Sequence, residues 1–78
     1  MKATLTLARV GMNMEEATIV KWHKRPGDPF KAGEPLYEIE TEKVNQEITA
    51  ASDGTLVEIY VREGEIANVG RPVCAVEV

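Results

Sequence analysis

Lys43 is the residue best placed for chemistry in this sequence, because it stands in a short polar segment between two alternating stretches. Polar and apolar residues alternate from Leu36 onwards and again up to Ile48, so both flanks are predicted to be strands. Residues 41–45 then form a predicted hairpin tip, although Asn45 is not followed by the glycine that would fix the turn type. A lysine at such a tip is either a solvated charge or an amine presented for modification. Four carboxylates lie close to it in the sequence: Glu38, Glu40, Glu42 and Glu47.

The other reactive side chains do not form a catalytic set. The sequence has no Ser/His/Asp set, no Cys/His pair, no metal-ligand spacing and no phosphate-binding glycine loop. His23 lies among lysines and is predicted to be a surface residue. Cys74, the single cysteine, stands in an apolar run and is predicted to be a small core residue. We therefore exclude an independent enzyme.

Size and charge narrow the classes of partner. A chain of 78 residues forms one domain, residues 1–78, which can bury only about 60% of its unfolded surface. The net charge of -4 argues against nucleic acid, and no apolar run is long enough to span a bilayer, so we expect neither nucleic-acid nor membrane partners. An acidic surface suits a basic protein partner. The absence of a possible internal disulfide fits a reducing compartment, the cytoplasm or, in a eukaryote, the mitochondrial matrix.

The remaining segments are predicted to be short strands separated by turns. In residues 18–24, Val20 and Trp22 are expected to share one face of a strand. The Asp53-Gly54 pair predicts a turn with positive φ at the glycine. No window has apolar residues at helical spacing, so the fold class is all-β.

An internal repeat appears at a shift of 37 residues, which brings Gly27 onto Gly64 and Gly33 onto Gly70. Prolines and apolar positions coincide at the same shift. Each half alone cannot bury its apolar face, so the two are expected to pack as a small sandwich or flattened barrel. The four glycines are predicted to adopt backbone angles that a Cβ would oppose.

The repeat also locates the lysine. Lys43 follows Glu40, the end of the first half, and the equivalent position Glu77 lies at the end of the sequence. The hairpin tip is therefore expected at one end of the sandwich, with both ends of the chain near the other. This arrangement suits modification and delivery better than catalysis.

The sequence resembles the lipoyl domains of 2-oxo acid dehydrogenase acyltransferase components, within the biotinyl/lipoyl carrier family. The resemblance implies a hammerhead-type fold of two similar four-stranded sheets with quasi-twofold symmetry. The family usually has aspartate where this chain has Glu42, and glycine where it has Ala17, so the turn before the second strand is expected to form without glycine. The motifs that carry the resemblance are Met14-Glu15-Glu16-Ala17-Thr18-Ile19-Val20-Lys21-Trp22, Pro26-Gly27-Asp28, Gly33-Glu34-Pro35-Leu36, Glu38-Ile39-Glu40-Thr41-Glu42-Lys43-Val44, Asp53-Gly54 and Val69-Gly70.

The resemblance implies that Lys43 receives lipoic acid in amide linkage and that the chain is a swinging-arm carrier. The arm would reach on the order of 10–15 Å from the Cα and carry acyl groups and reducing equivalents. The implied partners are a lipoate ligase or lipoyl transferase, a thiamine-diphosphate-dependent 2-oxo acid dehydrogenase, an acyltransferase core and dihydrolipoamide dehydrogenase. The candidate recognition residues are Thr41, Glu42 and Val44 beside the lysine, and Gly11, Met12 and Asn13 in the loop of residues 9–16.

Two other functions use the same framework. A biotin carrier would present a lysine at the same tip but would have methionine on both sides of it, where this chain has Glu42 and Val44. An unmodified interaction module would need no carrier lysine. Pyruvate-type or acetoin-type complexes are favoured as the setting, although valine after the lysine also occurs in the 2-oxoglutarate branch. We expect a domain of a larger acyltransferase rather than a free-standing carrier.

Overall fold

The computed structural model describes residues 1–7 and 14–78, and the described part of the chain contains eight β-strands and no helix. Consequently no helix that could cross a membrane occurs within these two ranges. The all-β prediction is confirmed. The strands are Lys2–Thr6 (β1), Glu16–Trp22 (β2), Pro29–Phe30 (β3), Pro35–Glu40 (β4), Asn45–Thr49 (β5), Gly54–Ile59 (β6), Ile66–Asn68 (β7) and Pro72–Glu77 (β8).

The strands form two four-stranded antiparallel sheets with the orders β1-β8-β6-β3 and β5-β4-β2-β7. The two orders correspond strand by strand, because β1, β8, β6 and β3 of the first sheet match β5, β4, β2 and β7 of the second. Each matched pair differs by four strands along the chain. Both sheets therefore contain strands from both halves of the repeat. The predicted quasi-twofold sandwich is confirmed.

The two halves also repeat their hydrogen bonds. The N–H of Gly27 donates to the carbonyl of Leu56 over 2.7 Å, and the N–H of Gly64 donates to the carbonyl of Ile19 over 2.6 Å. Each bond joins a glycine turn of one half to a central strand of the other. The repeat in the sequence is thus a repeat of contacts between the halves, which explains why neither half is complete alone.

The predicted glycine conformations are confirmed at all four repeat positions. The φ angles are 97° at Gly27, 88° at Gly33, 87° at Gly64 and 89° at Gly70. Beyond the adjacent residues, no heavy atom lies within 4 Å of a Cβ built on any of the four, so it is the backbone angle and not a lack of space that favours glycine.

The prediction for Gly54 was wrong. This glycine is the first residue of β6 and is not among the glycines with positive φ. A Cβ there would lie 2.7 Å from the carbonyl oxygen of Glu77 and 2.9 Å from Phe30 Cζ. Glycine is therefore required at position 54 because strands β3 and β8 both approach it closely. The Asp-Gly turn signal does not reveal this.

The simple alternation predicted for β2 was also wrong. Ile19 pairs with Ile39, but the next pair joins Lys21 to Glu38, which leaves Val20 as an extra residue in a bulge. Ala17 and Ile19 are buried before the bulge and Trp22 packs against the same core after it, whereas Val20 is 37% exposed, so Val20 and Trp22 do not share a face.

Ala17 does not occupy a turn as expected. It lies within β2, pairs with Ala67 of β7 and is buried. A small side chain suits this buried pair without any need for the conformational freedom of glycine.

The apolar core fills the space between the sheets, and no buried polar or charged residue occurs among the residues described. Cys74 is fully buried there, as predicted, and burial raises the pKa of its thiol to about 11. Burial likewise raises the pKa of Tyr37 to about 12, with a smaller contribution from Cys74. The ring of Tyr37 lies 4.8 Å from that of Trp22, whose indole N–H donates to the carbonyl of Val61. The ring contact joins neighbouring strands β2 and β4 of one sheet, and the indole hydrogen bond links that sheet to the segment that follows β6 of the other.

Candidate functional site

The hairpin of β4 and β5 ends in the tip that carries Lys43. Its last paired residues are Glu40 and Asn45, so residues 41–44 form the connection. The pairing runs back through Glu38 and Glu47 into the sheet, and the strand beside β4 is the central strand β2. The tip is therefore built on paired strands, which restrict its motion relative to the sandwich.

Thr41 shapes this tip with its side chain. Its backbone N–H donates to the carbonyl of Val44 over 2.8 Å. Its hydroxyl oxygen accepts hydrogen bonds from the N–H groups of Val44 and Lys43, over 3.2 and 3.3 Å. Glu42 and Lys43 thus form the outer corner of the turn.

The hydroxyl of Thr41 compensates for the backbone geometry of the turn. Two-residue hairpin loops usually adopt turns with positive φ, because these turns match the twist of the flanking strands. Glu42 and Lys43 cannot form such a turn, since no non-glycine residue in the described ranges has positive φ. The side-chain oxygen therefore takes the N–H of Val44 that a backbone carbonyl would accept in such a turn. Thr41 acts on the position of Lys43, in addition to any role in the predicted recognition.

Lys43 is exposed and makes no ion pair with any residue that the structure describes. The neighbouring carboxylate of Glu38 is instead 2.7 Å from Nε2 of His23. His23 is thus half-buried and paired, rather than a plain surface residue as predicted. The ammonium group of Lys43 is left accessible to another protein.

A shallow groove of about 1030 Å³ lies beside the lysine. Residues 41–44 of the tip line one part of it, and the start of β2 together with Ile66 of β7 lines the rest. Four carboxylates belong to this groove, whereas those of Glu38 and Glu47 do not. The acidic residues of the groove are Glu15, Glu16, Glu40 and Glu42.

The loop of residues 9–16 carries three of the predicted recognition residues. Its end lies near the lysine, because Met14 and Glu15 line the same groove as Lys43. Gly11, Met12 and Asn13 lie outside the described residues, and their role in recognition stays a prediction. Of the other recognition candidates, Thr41, Glu42 and Val44 all line the groove.

Ile66 is the part of this site that was not found from the sequence. Its side chain is 56% exposed beside the lysine hairpin. The repeat aligns Ile66 with Pro29, and proline in a strand indicates an edge. That alignment could have identified β7 as an edge strand, but it could not place the strand next to the tip.

The tip and the two ends of the chain lie at opposite ends of β4. Glu34, immediately before this strand, shares a surface depression with Glu77 and Val78. The N–H of Val78 donates to the carbonyl of Met1 over 2.9 Å, which places both chain ends there. Lys43 lies beyond the other end of the strand, roughly 20 Å away for six residues of extended chain. The predicted separation is confirmed.

Comparisons with known proteins agree with this geometry. The biotin/lipoyl family model, described as "Biotin-requiring enzyme", matches residues 3–76. The chain is 36% identical over 74 residues to the dihydrolipoyllysine-residue acetyltransferase component of the acetoin cleaving system of Bacillus subtilis (strain 168), covering 95% of this chain and 19% of that protein. It is 42% identical over 73 residues to the dihydrolipoyllysine-residue succinyltransferase component of the 2-oxoglutarate dehydrogenase complex of Rickettsia felis, covering 94% of this chain and 18% of that protein.

A solved structure extends the likeness to the fold. The lipoyl domain of the 2-oxoglutarate dehydrogenase complex of Azotobacter vinelandii superposes with a TM-score of 0.79 and 31% identity, covering 97% of this chain and 98% of that one. The chain spans about a fifth of the length of the two acyltransferases but nearly all of this isolated domain. Its symmetric sandwich, its tip lysine and these matches show that the chain belongs to the biotinyl/lipoyl domain family.

Proposed function

We propose that this chain is a swinging-arm carrier domain, lipoylated on Lys43, that moves acyl groups and reducing equivalents within a 2-oxo acid dehydrogenase complex. The observation that carries the proposal is the placement of Lys43, exposed and without an ion pair among the described residues, at a tip held by paired strands. Family membership adds that a lysine in such domains carries either lipoate or biotin.

The residues present fit a lipoyl group. Lys43 supplies a primary amine that can form an amide, and nothing in the described part of the chain covers it. Thr41 fixes the backbone of the tip through the N–H groups of Lys43 and Val44, so that a modifying enzyme meets one preformed shape. When bound, the dithiolane supplies the thiol-disulfide chemistry that accepts and releases an acyl group and two electrons.

The domain itself contributes position and recognition. An arm on the tip lies far from Met1 and Val78. Because the tip is held by paired strands, the lysine moves together with the domain. The acidic groove beside Lys43 offers Glu42 and Glu40 to basic groups of a partner. Charges of this kind steer association and discriminate between partners more than they raise affinity.

The similar proteins indicate the larger protein to which this domain would belong. Because the chain spans about a fifth of two acyltransferases, we infer that it is one domain of a dihydrolipoamide acyltransferase. Its partners would be the lipoate ligase or lipoyl transferase, the thiamine-diphosphate-dependent decarboxylase, the acyltransferase core and dihydrolipoamide dehydrogenase. A reducing compartment, the cytoplasm or the mitochondrial matrix, suits the buried thiol of Cys74.

Intact mass tests the assignment. The domain is expressed with lipoate ligase and lipoate, and separately with biotin ligase and biotin. Wild-type protein and the matched control Lys21→Arg, which changes an exposed lysine in β2, should gain one lipoyl group. Lys43→Arg keeps the charge but lacks the primary amine, so its mass should not change.

Three outcomes oppose the proposal in different ways. Lipoylation of Lys43→Arg would show that another lysine is the attachment site. Biotin incorporation without lipoylation of the wild type would identify a biotin carrier, although Glu42 and Val44 do not resemble the methionines of that branch. Absence of both modifications in wild-type protein would favour an unmodified interaction module.

A further inference from the structure

We propose that the groove beside Lys43 is a resting site for the end of the lipoyl arm, in which the dithiolane ring packs on Ile66. This inference rests on the proposed function, because it requires a lipoyl group on Lys43. It goes further by assigning a binding role to β7, a strand that carries no part of the attachment motif. The arm would then alternate between a state held on its own domain and a state available to partners.

The reach of the arm agrees with the distance across the sheet. Asn45, Glu40, Thr18 and Ile66 are successive register partners on four neighbouring strands, and so form one row across the outer face. Three strand spacings separate the first from the last, which is about 14 Å. Lys43 lies on the tip that joins the first two of these strands, so an arm that extends on the order of 10–15 Å from its Cα covers a comparable distance.

The groove also holds exposed apolar side chains. Ile66 is 56% exposed and Val44, beside the lysine, is 40% exposed. Both line the groove together with Thr18, the register partner of Ile66. A dithiolane and its aliphatic chain would cover apolar surface that is otherwise in contact with water, which is favourable in proportion to the area removed.

Modification changes the charge of the groove in a way that favours this occupant. The ammonium of Lys43 is exposed, and the carboxylates of Glu40 and Glu42 line the same groove. An amide removes this charge and supplies an uncharged arm. Such an arm passes Glu40 on the way to Ile66 without placing a charge in the groove.

The tether explains why a weak contact is enough. A group attached to Lys43 is confined near the groove at an effective concentration in the millimolar range, as for two sites joined by a short flexible linker. A second copy or a separate protein would have to reach that concentration in solution. A weak contact also leaves the arm free to enter a partner, which a carrier requires.

The experiment uses the lipoylated domain with 13C-labelled isoleucine and valine methyl groups. We expect nuclear Overhauser effects between the dithiolane ring protons and the δ1 methyl of Ile66, and a shift of the Ile66 and Val44 methyl signals on lipoylation. Ile66→Ser should abolish the contacts and narrow the lines of the ring protons. The matched control Val57→Ser changes a residue that is 39% exposed on the other sheet and should leave them unchanged.

Each outcome has a distinct meaning. Complete lipoylation by intact mass, with no contact to Ile66 and no shift of its methyl, would overturn the resting site and leave the carrier function intact. Failure of wild-type Lys43 to be lipoylated would instead overturn the proposed function. Contacts or shifts that grow with domain concentration would show a second copy in the groove and contradict the intramolecular site. If Ile66→Ser does not fold, the test uses wild-type protein and Ile66→Val instead. Contacts that are present in the wild type and weaker in Ile66→Val support the resting site, and contacts that are absent or unchanged overturn it.

Discussion

The hydroxyl oxygen of Thr41 lies 3.2 Å from the backbone nitrogen of Val44 and accepts its N–H, which closes the turn that presents Lys43. We predict that Thr41→Val, which keeps the shape of the side chain but removes this acceptor, disorders the tip. The free energy of unfolding should fall by about 0.5–1.5 kcal/mol. If the ligase must restore the turn, kcat/KM for lipoylation should fall by about 2- to 10-fold.

Thr41→Ser is the matched control, because it retains the hydroxyl and loses a methyl group. It should be lipoylated nearly as fast as wild-type protein, and the amide of Val44 should keep its protection from hydrogen exchange. Equal rates for the serine and valine variants would show that the hydroxyl does not position the lysine.

Gly33 provides a test of backbone conformation. Its φ of +88° is costly for any residue with a Cβ, although beyond the adjacent residues no heavy atom lies within 4 Å of the position of that Cβ. Gly33→Ala should therefore lower the free energy of unfolding by about 1–2 kcal/mol. Gly33→Asn should cost less, because asparagine tolerates this region better. Urea unfolding measures both, and an alanine variant as stable as wild-type protein would contradict the assigned cause.

Gly54 should respond differently because its constraint is space. A Cβ at this position would lie 2.7 Å from the carbonyl oxygen of Glu77, a backbone atom that cannot move without shifting β8. We expect Gly54→Ala to cost about 1–3 kcal/mol by urea unfolding, and Gly54→Asn to be no better than alanine. Rescue by asparagine here would point to backbone conformation instead.

Glu42 is predicted to act in partner recognition rather than in lipoylation. Glu42→Gln should leave the extent of lipoylation unchanged, because the ligase needs mainly a lysine at the tip. It should slow acylation of the lipoylated domain by the cognate decarboxylase, more at low salt than at high salt. Exchange of residues 9–16 for those of another lipoyl domain should have a similar effect.

The control for Glu42→Gln is Glu58→Gln, which removes an exposed carboxylate on the other sheet. Stopped-flow or mass-resolved acylation at several ionic strengths compares the variants. If Glu42→Gln and the loop exchange both match Glu58→Gln at every salt concentration, recognition lies elsewhere.

The buried thiol of Cys74 and the buried phenol of Tyr37 predict that the domain loses stability at alkaline pH. The pKa of Cys74 is raised from its ordinary value of 9.0 to about 11, and that of Tyr37 from 10.0 to about 12, mainly by burial. The unfolded chain releases these protons first, so their contribution to stability is complete below pH 9 and is lost as the pH rises through 11 and 12. Cys74→Ala should delay the onset of this decline by about one pH unit, because only the tyrosine then remains.

Urea midpoints measured between pH 8 and pH 12 test this expectation for both proteins. At pH 8 the folded domain should also react slowly with a thiol reagent and rapidly once unfolded. Identical pH profiles for wild-type protein and Cys74→Ala would show that the thiol does not titrate differently in the two states.

The sequence by itself determined the class of fold and the place of the lysine. The glycines at positions 27 and 64 sit at equivalent points of a repeat, which predicted backbone angles that a Cβ would oppose, and both have positive φ. Alternation on both sides of Lys43 likewise predicted a hairpin. These are local properties, since they depend on backbone angles and on side-chain periods within a few residues.

Tertiary structure decided what lies next to that hairpin. Val20 and Trp22 do not share a face because a bulge in the β2–β4 pairing, a contact between distant segments, interrupts the alternation between them. Gly54 was required by the carbonyl of Glu77, which is 23 positions away in the sequence. Ile66 joined the lysine site only because β7 pairs with β2, which in turn pairs with β4. Register and strand order arise from packing between elements far apart in the chain, so no local pattern encodes them.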